Sequence, residues 1–393
     1  MRLDADSWRQ KRGVARLLKA LGSKQGLTRY VGGAVRDDLL GLPVSDIDFA
    51  TRLRPEEVIE RLEKAHIKAV PTGIEHGTIT AVADGQPAEV TTLRADVSTD
   101  GRRATVEYTD DWMADASRRD FTINALYADP EDGEVHDYFG GLEDLKARRV
   151  RFIGDPLIRI AEDHLRILRF FRFHARFGDG APDKTAIEAC TARANDLMAL
   201  SRERIADEML KLLALAEPTA TVELMIERGI LRPVVPEIDS AARLKALIAM
   251  EQLGGFEPDP LRRLSALLPQ DPDAAERIAA RLKLSNKARK RMALAAETDL
   301  SSRPEALAYW IGAESAQDRL LLADRPQDAA ALKDWPIPRL PISGGQLIKR
   351  GIAQGPLVAK TLQAIERDWV AAGFPTGADF DALTSRHVAR AIA

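Results

Sequence analysis

The order of apolar and polar residues changes character near Gly140. From Leu27 to Phe139, short runs of β-forming residues broken by turns predict strands, with helical runs at 34–40 and 55–65 between them. An earlier stretch, residues 6–21, has apolar residues at helical spacing before a glycine and predicts a leading helix. This first part is therefore predicted to be a small domain of mixed strands and helices. The predicted strands are LTRYV, DIDFA, GTITAVA, AEVTTLR, NALYA and EVHDYF.

After Gly140 the pattern is helical. Apolar residues recur at i, i+3, i+4 and i+7, which is the spacing of helices with one buried face. With 393 residues the chain is long enough for two or three domains. The pattern as a whole predicts an α+β fold, in which a mixed head is followed by helices. The segments with the helical spacing include DPLIRIAEDHLRILRFFRFHARF, SRERIADEMLKLLALA and GPLVAKTLQAIERDWVAAG.

The total charge gives no indication of a nucleic-acid partner, but one segment is strongly basic. Lysine and arginine number 57 against 60 aspartates and glutamates, for a net charge of -3. Residues 148–176 contain eight arginines against three acids, a surplus of five positive charges. A basic stripe of this kind can follow the phosphates of a nucleic acid.

Cysteine usage and hydropathy favour a cytoplasmic location. Cys190 is the only cysteine, which excludes an internal disulfide and a cysteine-based zinc site. No stretch approaches the ~18 apolar residues of a membrane span, and the N-terminal sequence lacks the apolar core of a signal peptide. We therefore expect no membrane partner. The six histidines are scattered and do not predict a metal phosphohydrolase site.

Two aspartates separated by one residue are the first candidates for chemistry. Asp46 and Asp48 fall in a predicted strand, where side chains alternate between faces, so both carboxylates point the same way. Such a pair is unfavourable unless a cation joins it, and oxygen ligands combined with substrate phosphates suit Mg²⁺. Glu89, in another predicted strand, is the candidate third carboxylate of a two-metal phosphoryl transfer. Taken alone, the aspartate pair is also common at solvated strand ends.

A glycine pair upstream changes the interpretation of these acids. Gly32 and Gly33 lie between a predicted strand and a predicted helix, so backbone N–H groups can approach a triphosphate there. Arg36 adds a planar, positively charged guanidinium, which can donate two hydrogen bonds to phosphate oxygens. A tight strand-to-helix turn explains the two glycines equally well.

Together these motifs resemble a known family. LTRYVGGAVRDDLLGLPVSDIDFAT, GTITAV, AEVTTLR and SRRDFTINALYAD are similar to the bacterial and eukaryotic (class II) type of CCA-adding enzymes and their sister poly(A) polymerases. The resemblance implies a polymerase-β-like nucleotidyltransferase head followed by an all-helical neck, body and tail. Its implied boundaries are a leading helix at 1–26, the head at 27–141, a neck with a base-recognition helix at 142–200, the body at 201–290 and a tRNA-binding tail at 291–393.

The segment SRRDFTIN supplies three further candidates. Arg119 is predicted to contact nucleotide phosphate, while Asp120 and Asn124 bond the ribose or hold the loop. From chemistry alone, an arginine–aspartate pair that locks a domain edge is an equally good explanation. The resemblance favours the functional role for all three residues.

A pair on a predicted long helix suggests how bases are chosen. Asp163 and Arg166 are three residues apart, about 60° around a helix, and can present an acceptor and a donor to one ligand. Cytosine and adenine each place an amino donor beside a ring-nitrogen acceptor, whereas uracil and guanine reverse that order. The alternative is a salt-bridge ladder from Glu162 and Asp163 to Arg166, but the resemblance assigns the pair to base recognition. Arg169 and Arg172 continue at the same spacing and are predicted to bind the nucleotide, but Arg172 faces a different side from Asp163 and is better suited to contact phosphate or RNA.

Between Arg94 and Arg118 the sequence is polar and predicts a loop, with a turn at Asp100-Gly101 and Arg102-Arg103 at its tip. Loops of this kind can close over a site or reset it between substrates. In the resembled family, a similar loop distinguishes enzymes that complete CCA from relatives that stop after CC. The resemblance therefore favours the complete activity.

The resemblance implies template-independent addition of C, C and A to the tRNA 3′ end from CTP and ATP, with Mg²⁺ as cofactor and pyrophosphate as by-product. It implies no stable protein partner. A poly(A) polymerase and a relative that adds only CC or only A stay open as alternatives. A tRNA-binding protein with an inactive head is less favoured, because Asp46, Asp48 and Glu89 are all present.

Overall fold

The structure is a computed structural model that describes residues 1–3, 8–100 and 103–393. Its described residues form two compact units. The first comprises Met1–Ser201 with Glu227–Val234, and the second comprises Arg202–Ile226 with Val235–Ala393. Within the described ranges, no helix is both long and apolar enough to cross a membrane.

The first unit is built on a mixed sheet. Its strands are β1 (Thr28–Val31), β2 (Asp48–Thr51), β3 (Lys68–Gly73), β4 (Thr78–Ala83), β5 (Gln86–Thr92), β6 (Arg94–Asp100), β7 (Arg103–Tyr108), β8 (Leu126–Ala128) and β9 (Val135–Asp137). Among the described residues, seven strands form one sheet in the order β3-β4-β5-β2-β1-β8-β9, and β6 pairs with β7 separately. Neighbours in the large sheet are antiparallel except β2 and β5, which are parallel.

Helices surround this sheet and continue beyond it. They are α1 (Arg12–Ala20), α2 (Gly33–Leu39), α3 (Pro55–Lys64), α4 (Trp112–Ser117), α5 (Gly141–Lys146), α6 (Pro156–Glu162), α7 (Arg166–Phe177) and α8 (Lys184–Ala192). Buried aromatic rings hold α7 in place: Phe152 stacks on Phe170 at 5.7 Å, and Phe121 meets Phe173 at 5.1 Å between ring centroids. Because Phe121 follows Arg119 and Asp120 directly, this packing holds α7 beside the SRRDFTIN segment.

The rest of the chain is helical. Its helices are α9 (Arg202–Leu213), α10 (Thr219–Glu227), α11 (Ala242–Gly254), α12 (Pro260–Leu267), α13 (Pro272–Arg281), α14 (Asn286–Ala296), α15 (Pro304–Ile311), α16 (Ala313–Leu322), α17 (Pro326–Ala331), α18 (Gly344–Lys349), α19 (Pro356–Ala371) and α20 (Gly377–Ile392). The predicted α+β class, a mixed head followed by helices, is confirmed. The boundaries between neck, body and tail stay a prediction.

Two local predictions differ from the structure. Strand β3 was not predicted, because Pro71 weakens the strand pattern; β3 lies at the sheet edge, where the missing N–H of a proline is tolerated. The segment predicted as a loop contains the β6–β7 hairpin and α4. The predicted turn at Asp100-Gly101 and the predicted tip at Arg102-Arg103 fall in part on residues 101–102, which lie outside the described residues.

The prediction of one long helix through Asp163 is wrong. Helix α6 ends at Glu162, Asp163 is extended at φ -150° and ψ 105°, and α7 begins at Arg166. The Asp163 carboxylate accepts from the N–H of Leu165 at 3.1 Å, and its carbonyl accepts from the N–H of Arg166 at 3.0 Å. These local bonds compete with helical ones, as aspartate often does, and interrupt the helix.

The second unit contains a buried network of charges. Glu251 is 1% exposed and accepts from the Nε atoms of Arg262 and Arg263, both at 2.8 Å. Arg263 also donates to the carbonyls of Leu213 at 2.9 Å and Leu215 at 2.5 Å, at the end of α9. This one side chain therefore ties together α9, α11 and α12.

We predict that Arg263→Ala destabilises the protein by about 3–5 kcal/mol, because it leaves buried acceptors without their donor. Urea unfolding followed by circular dichroism measures the loss. The matched control is Arg281→Ala, which removes a partly exposed pair with Glu237 and should cost less than about 1 kcal/mol. Equal losses in the two variants would contradict this role of Arg263.

Candidate active site

Three carboxylates lie close together where β2 begins beside β5. Asp48 of β2 is paired with Glu89 of β5, and the Glu89 N–H donates to the carbonyl of Ile47 at 3.3 Å. Ile47 is buried, while Asp46 and Glu89 are exposed and Asp48 is partly exposed. Strand β2 begins at Asp48, so Asp46 lies before the strand and not within it as predicted, because only residues from Asp48 onward pair with neighbouring strands. The charge of Asp46 nevertheless acts on Asp48, so the two carboxylates lie near each other. Because β2 and β5 are neighbours, Glu89 lies beside Asp48, as a third carboxylate of the same site must.

The negative charges of these acids act on Asp48. Burial and the charge of Glu89 raise the pKa of Asp48 to about 6, and the charge of Asp46 adds to them. The positive charge of Arg119 opposes the shift only in part. Among the described residues, none of the three carboxylates forms an ion pair with a lysine or arginine. Within the described ranges, negative charge is therefore concentrated at this site and only partly offset by Arg119.

This set of oxygen donors fits a hard divalent cation. Within the described part of the chain, no three His, Cys, Asp or Glu side chains are arranged to hold a metal ion by themselves. Mg²⁺, however, keeps several waters and is commonly bound by one or two carboxylates together with substrate phosphates. Asp46 and Asp48 can supply that protein share, so the site fits a metal that shares its ligands with a nucleotide.

The turn beside the acids requires glycine at position 32 because of its backbone conformation. Gly32 has φ 68° and ψ -120°, a conformation that other L-residues avoid. Its N–H donates to the carbonyl of Leu126 at 3.0 Å, which fixes the turn against β8. The N–H groups in the first turn of α2, beginning with Gly33, have no partner within their own helix. Those groups, rather than the N–H of Gly32, can face a phosphate.

Arg119 is held rigidly beside this turn. Its Nε donates to the hydroxyl of Tyr127 at 3.0 Å and its Nη2 to Asp115 at 3.1 Å. Its Nη1 is not used in these two bonds and lies 3.6 Å from where a Cβ on Gly32 would be. The guanidinium therefore lies next to the glycine turn, close enough to Asp48 to influence the pKa of that carboxyl.

Asp115 is a residue that the sequence analysis missed. It is 1% exposed and accepts from Arg118, Arg119 and the hydroxyl of Tyr127. Burial alone would raise its pKa, but the charges of Arg119 and Arg118, with the bond from Tyr127, hold the pKa below its usual range. The segment was predicted as a loop, but an acid three and four residues before two arginines is the spacing of one helical face and is the signal that could have identified Asp115.

Asp120 and Asn124 belong to a buried chain of hydrogen bonds. Asp120 accepts from Asn124 at 3.0 Å and from Arg169 of α7 at 2.5 Å. Burial acts to raise its pKa, but the charge of Arg169 and these bonds hold the pKa below its usual range. Asn124 in turn accepts from Arg36 at 2.5 Å, and Arg36 is also bonded to Asp37. The chain ties α2 to α7 behind the glycine turn.

Arg36 therefore makes its strongest contacts inside the protein. It is 6% exposed, and its guanidinium lies 4.1 Å from the ring centroid of Phe177. Its predicted contact with a nucleotide phosphate stays a prediction. Asp120 and Asn124 hold the loop, which was one of the two predicted alternatives, while their bonding to a ribose stays untested.

Arg166 is fixed by three oxygen atoms. It donates to Glu162 at 2.5 Å, to the carbonyl of Arg159 at 2.9 Å and to the carbonyl of Arg118 at 2.9 Å. The predicted salt bridge from Glu162 to Arg166 is therefore present. Asp163 lies between the two helices instead of on the same helix, so the predicted 60° relation between Asp163 and Arg166 does not apply.

The basic stripe is more neutral than its sequence indicated. Acids that lie outside the segment in sequence reach it in space, and Arg172 lies 4.6 Å from the ring centroid of Phe173. The surplus of positive charge in the folded segment is therefore smaller than a count along the chain gives. Acids outside the segment form ion pairs that include Arg149 and Arg151 with Asp144, Arg169 with Asp120, and Arg176 with Asp37. Glu162, within the segment, pairs with Arg159 and Arg166.

We predict that Asp48→Asn stabilises the metal-free protein at pH 8 but not at pH 4. The pKa of Asp48 is raised on folding, so its contribution to stability is present below its unfolded pKa and is lost as pH rises through about 6. The gain at pH 8 should be about 1–2 kcal/mol, since the group is partly exposed. Urea unfolding in EDTA measures it.

Two controls accompany this measurement. The control variant is Asp207→Asn, at an exposed acid that pairs with Lys211 on α9, and it should not stabilise the protein at pH 8. Adding Mg²⁺ at pH 8 should stabilise the wild type and not Asp48→Asn. If the free energy of unfolding of the wild type were the same at pH 4 and pH 8, this result would contradict the concentration of negative charge at the three carboxylates.

Comparison with known proteins agrees with this geometry. Residues 28–151 match the family described as Poly A polymerase head domain, and residues 181–242 match the Probable RNA and SrmB- binding site of polymerase A. The mitochondrial CCA tRNA nucleotidyltransferase 1 of Mus musculus is 35% identical, over 92% of this chain and 87% of that protein. The CCA-adding enzyme of Lacticaseibacillus paracasei is 33% identical, over 95% of this chain and 96% of that protein.

The solved structures are similar over the same extent. The CCA-adding enzyme of Bacillus stearothermophilus in complex with CTP superposes with a TM-score of 0.71 at 26% identity, over 97% of this chain and 99% of that one. The resemblance noted in the sequence motifs is thus confirmed along nearly the whole chain. The chain belongs to the family of CCA-adding enzymes, the CCA tRNA nucleotidyltransferases.

Proposed function

We propose that the chain adds C, C and A in turn to the 3′ end of tRNA, taking them from CTP and ATP without a nucleic-acid template. The observation that carries the proposal is the charge concentrated at Asp46, Asp48 and Glu89, in a chain that belongs to this family along nearly its whole length. The similar enzyme of Bacillus stearothermophilus was solved with CTP, which supports a nucleotide substrate.

In the proposed reaction, the 3′ hydroxyl of tRNA attacks the α-phosphorus of the nucleotide. A P–O bond forms, the bond to the β-phosphate breaks, and pyrophosphate leaves. The family is metal-dependent, and we infer that the metal is Mg²⁺, of which two ions would stabilise the attacking and leaving oxygens. Asp46 and Asp48 would hold them, and Glu89 supplies the third carboxylate of the site.

The glycine turn and Arg119 are the proposed holders of the triphosphate. The first N–H groups of α2, from Gly33 onward, and Nη1 of Arg119 lie at the same turn, and Gly32 gives that turn its conformation. Arg172 is proposed to contact phosphate or RNA. A chain of hydrogen bonds behind the turn supports this role, because it holds α2 and α7 in a fixed position relative to each other. Its members are Arg36, Asn124, Asp120 and Arg169.

Asp163 and Arg166 are the proposed selectors of the base. Arg166 is fixed by Glu162 and two carbonyls, and Asp163 follows in an extended link. An aspartate acceptor and an arginine donor match the edge shared by cytosine and adenine and mismatch that of uracil and guanine. Glu162 therefore joins the predicted pair as the residue that positions Arg166.

The helical remainder is the proposed tRNA-binding part. Residues 181–242 match a probable RNA-binding family, and the segment 291–393 is proposed as the tail that holds tRNA. A cytoplasmic location stays a prediction from the sequence. The second candidate function is a poly(A) polymerase, which is favoured only by the match of residues 28–151 to a head domain named after that enzyme.

We predict that purified protein extends a tRNA lacking its CCA end by three nucleotides when given Mg²⁺, CTP and ATP. CTP alone should give two additions. Gel analysis and sequencing of the product measure this. Asp48→Asn should lower the rate at least about 100-fold, since it removes charge where the metal binds.

Each other outcome of this assay would favour a different function for this chain. Long adenine runs would favour the poly(A) polymerase, and a product that ends at CC would favour a partial enzyme. Full activity of Asp48→Asn would overturn the catalytic role of the carboxylates. Glu60→Gln, at an exposed acid on α3 that pairs with Lys64, serves as the control and should be fully active.

We predict that Asp163→Asn lowers kcat/KM for CTP and ATP about 10- to 100-fold and reduces discrimination against UTP. The reason is that one acceptor becomes a donor opposite the amino group of the base. Single-nucleotide incorporation with each triphosphate measures the ratio. The control is Glu60→Gln, at an exposed acid on α3, which should change neither value. An equal loss for all four nucleotides would contradict a role in selection.

A further inference from the structure

The arginines proposed to bind the triphosphate and the base meet at the end of one short helix. Helix α4 ends at Ser117, and Arg118 and Arg119 follow it. The Nη2 of Arg166 donates to the carbonyl of Arg118 at 2.9 Å. The N–H of Arg119 belongs to the same peptide group and donates to the carbonyl of Ala116 at 3.2 Å. One peptide group therefore joins Arg166, the proposed base selector, to Arg119, the proposed holder of the triphosphate.

Asp115 holds the side chains on both sides of this peptide group. Its Oδ1 accepts from the Nε and Nη2 of Arg118 at 2.9 and 2.6 Å, and its Oδ2 accepts from the Nη2 of Arg119 at 3.1 Å. The N–H of Arg94, where β6 begins, also donates to Oδ1 at 3.2 Å. Each oxygen of one buried carboxylate therefore fixes one of two consecutive arginines.

Tyr127 supports only one of these two arginines. Its hydroxyl donates to Oδ2 of Asp115 at 2.5 Å and accepts from the Nε of Arg119 at 3.0 Å. Burial raises the pKa of this hydroxyl, and the charge of Asp115 adds to the rise against that of Arg119, so the hydroxyl keeps its proton. Within the described residues, Tyr127 bonds neither to the side chain of Arg118 nor to its carbonyl. The hydroxyl thus steadies Arg119 alone.

The bonds to Asp115 are largely shielded from water. Asp115 is 1% exposed, and the side chains of Arg118 and Arg119 are 13% and 20% exposed. Hydrogen bonds to a charged acceptor are strong in such surroundings, and they hold each donor in one geometry. A displacement of about 1 Å in a group that holds a substrate can lower the rate about 100-fold. The position of this carboxylate therefore matters for both arginines.

A nucleotide presents its base and its triphosphate in one molecule, so the two proposed arginines can bind it together only at one separation. We propose that Asp115 is a positioning residue that fixes this separation. It acts on the phosphates through Arg119, and on the base through Arg118, whose carbonyl holds Arg166. It contacts neither part of the nucleotide itself. This role rests on the proposed function of Arg119 and Arg166 as holders of phosphate and base.

Binding of nucleotides to the full chain, with Mg²⁺ and without tRNA, tests the proposal. No nucleotide can be added under these conditions, so the result does not depend on the product that the chain makes. Inorganic tripolyphosphate, which has no base, reports the phosphate contact. The dissociation constant of UTP divided by that of CTP reports base selection, since only the base differs between them. Titration calorimetry measures all three constants.

We expect Asp115→Asn to weaken the binding of tripolyphosphate about tenfold and to lower the ratio of UTP to CTP constants at least about threefold. The reason is that the amide removes the charge that both Arg118 and Arg119 face. Urea unfolding shows whether the variant is folded, because Asp115 is buried and its loss also costs stability. Two milder variants separate the two effects, and they decide the question if Asp115→Asn does not fold.

Tyr127→Phe and Arg118→Met are the milder variants. Tyr127→Phe removes one hydroxyl and loosens Arg119 only, so tripolyphosphate, CTP and UTP should all bind about fivefold more weakly, with an unchanged ratio. Arg118→Met should give the reverse, with an unchanged constant for tripolyphosphate and a ratio lowered about threefold. The control is Glu60→Gln, at an exposed acid on α3, which should alter none of these values.

A carboxylate that served stability alone would give a different pattern. The variants would then lower the free energy of unfolding, while the folded proteins kept both the constant for tripolyphosphate and the ratio, and the proposal would be overturned. Equal changes of both quantities in Tyr127→Phe and in Arg118→Met would overturn it as well, because the two oxygens of Asp115 would then have no separate effects.

Failure of the proposed function is distinguishable from failure of this role. A wild type that binds UTP as tightly as CTP would overturn the base selectors together with the role of Asp115. If the assay of CCA addition fails while the two milder variants differ as expected, the proposed product is wrong and the role of Asp115 stands.

Discussion

The parallel pairing of β2 with β5 is the constraint on which the site depends. It places Asp48 opposite Glu89, with Asp46 beside them, and burial together with these charges raises the pKa of Asp48 to about 6. Like charges directly opposite each other destabilise a sheet, so this register is unfavourable without a cation. The chain passes through α3, β3 and β4 before it reaches β5. A substantial part of the head thus serves to bring one glutamate beside two aspartates.

Acids elsewhere in the first unit have the opposite role. Asp115 and Asp120 are buried, and each is bonded to an arginine, Arg119 and Arg169 respectively. A buried carboxylate that is paired and hydrogen-bonded fixes the geometry of its partner, since the cost of leaving either charge alone is several kcal/mol. Among the described residues, Asp46, Asp48 and Glu89 form no ion pair and so remain available for a ligand. The paired acids Asp115 and Asp120 instead hold the arginines around that site in place. Net charge along the chain does not distinguish these two uses.

The sequence predicted features that depend on neighbours in the chain and missed those that depend on neighbours in space. The strands around Asp48 and the glycine turn have local signals, and each was found. Asp115 has its helical partners nearby, but its bond to Tyr127 depends on the placement of β8. The arginines after residue 148 look like a free basic stripe until acids such as Asp144 and Asp37 are brought to them by folding. Charge balance in a folded segment is a tertiary property.

The interruption at Asp163 bears most directly on the proposed selection of bases. A protein replaces a nucleic-acid template only if its donors and acceptors are held still before the base arrives, because ordering them afterwards would reduce discrimination. Arg166 meets this requirement through Glu162 and the carbonyls of Arg118 and Arg159. On one continuous helix, Asp163 would be confined to a fixed angle from Arg166. In an extended link it is oriented by its own bond to Leu165, so acceptor and donor are positioned by separate contacts.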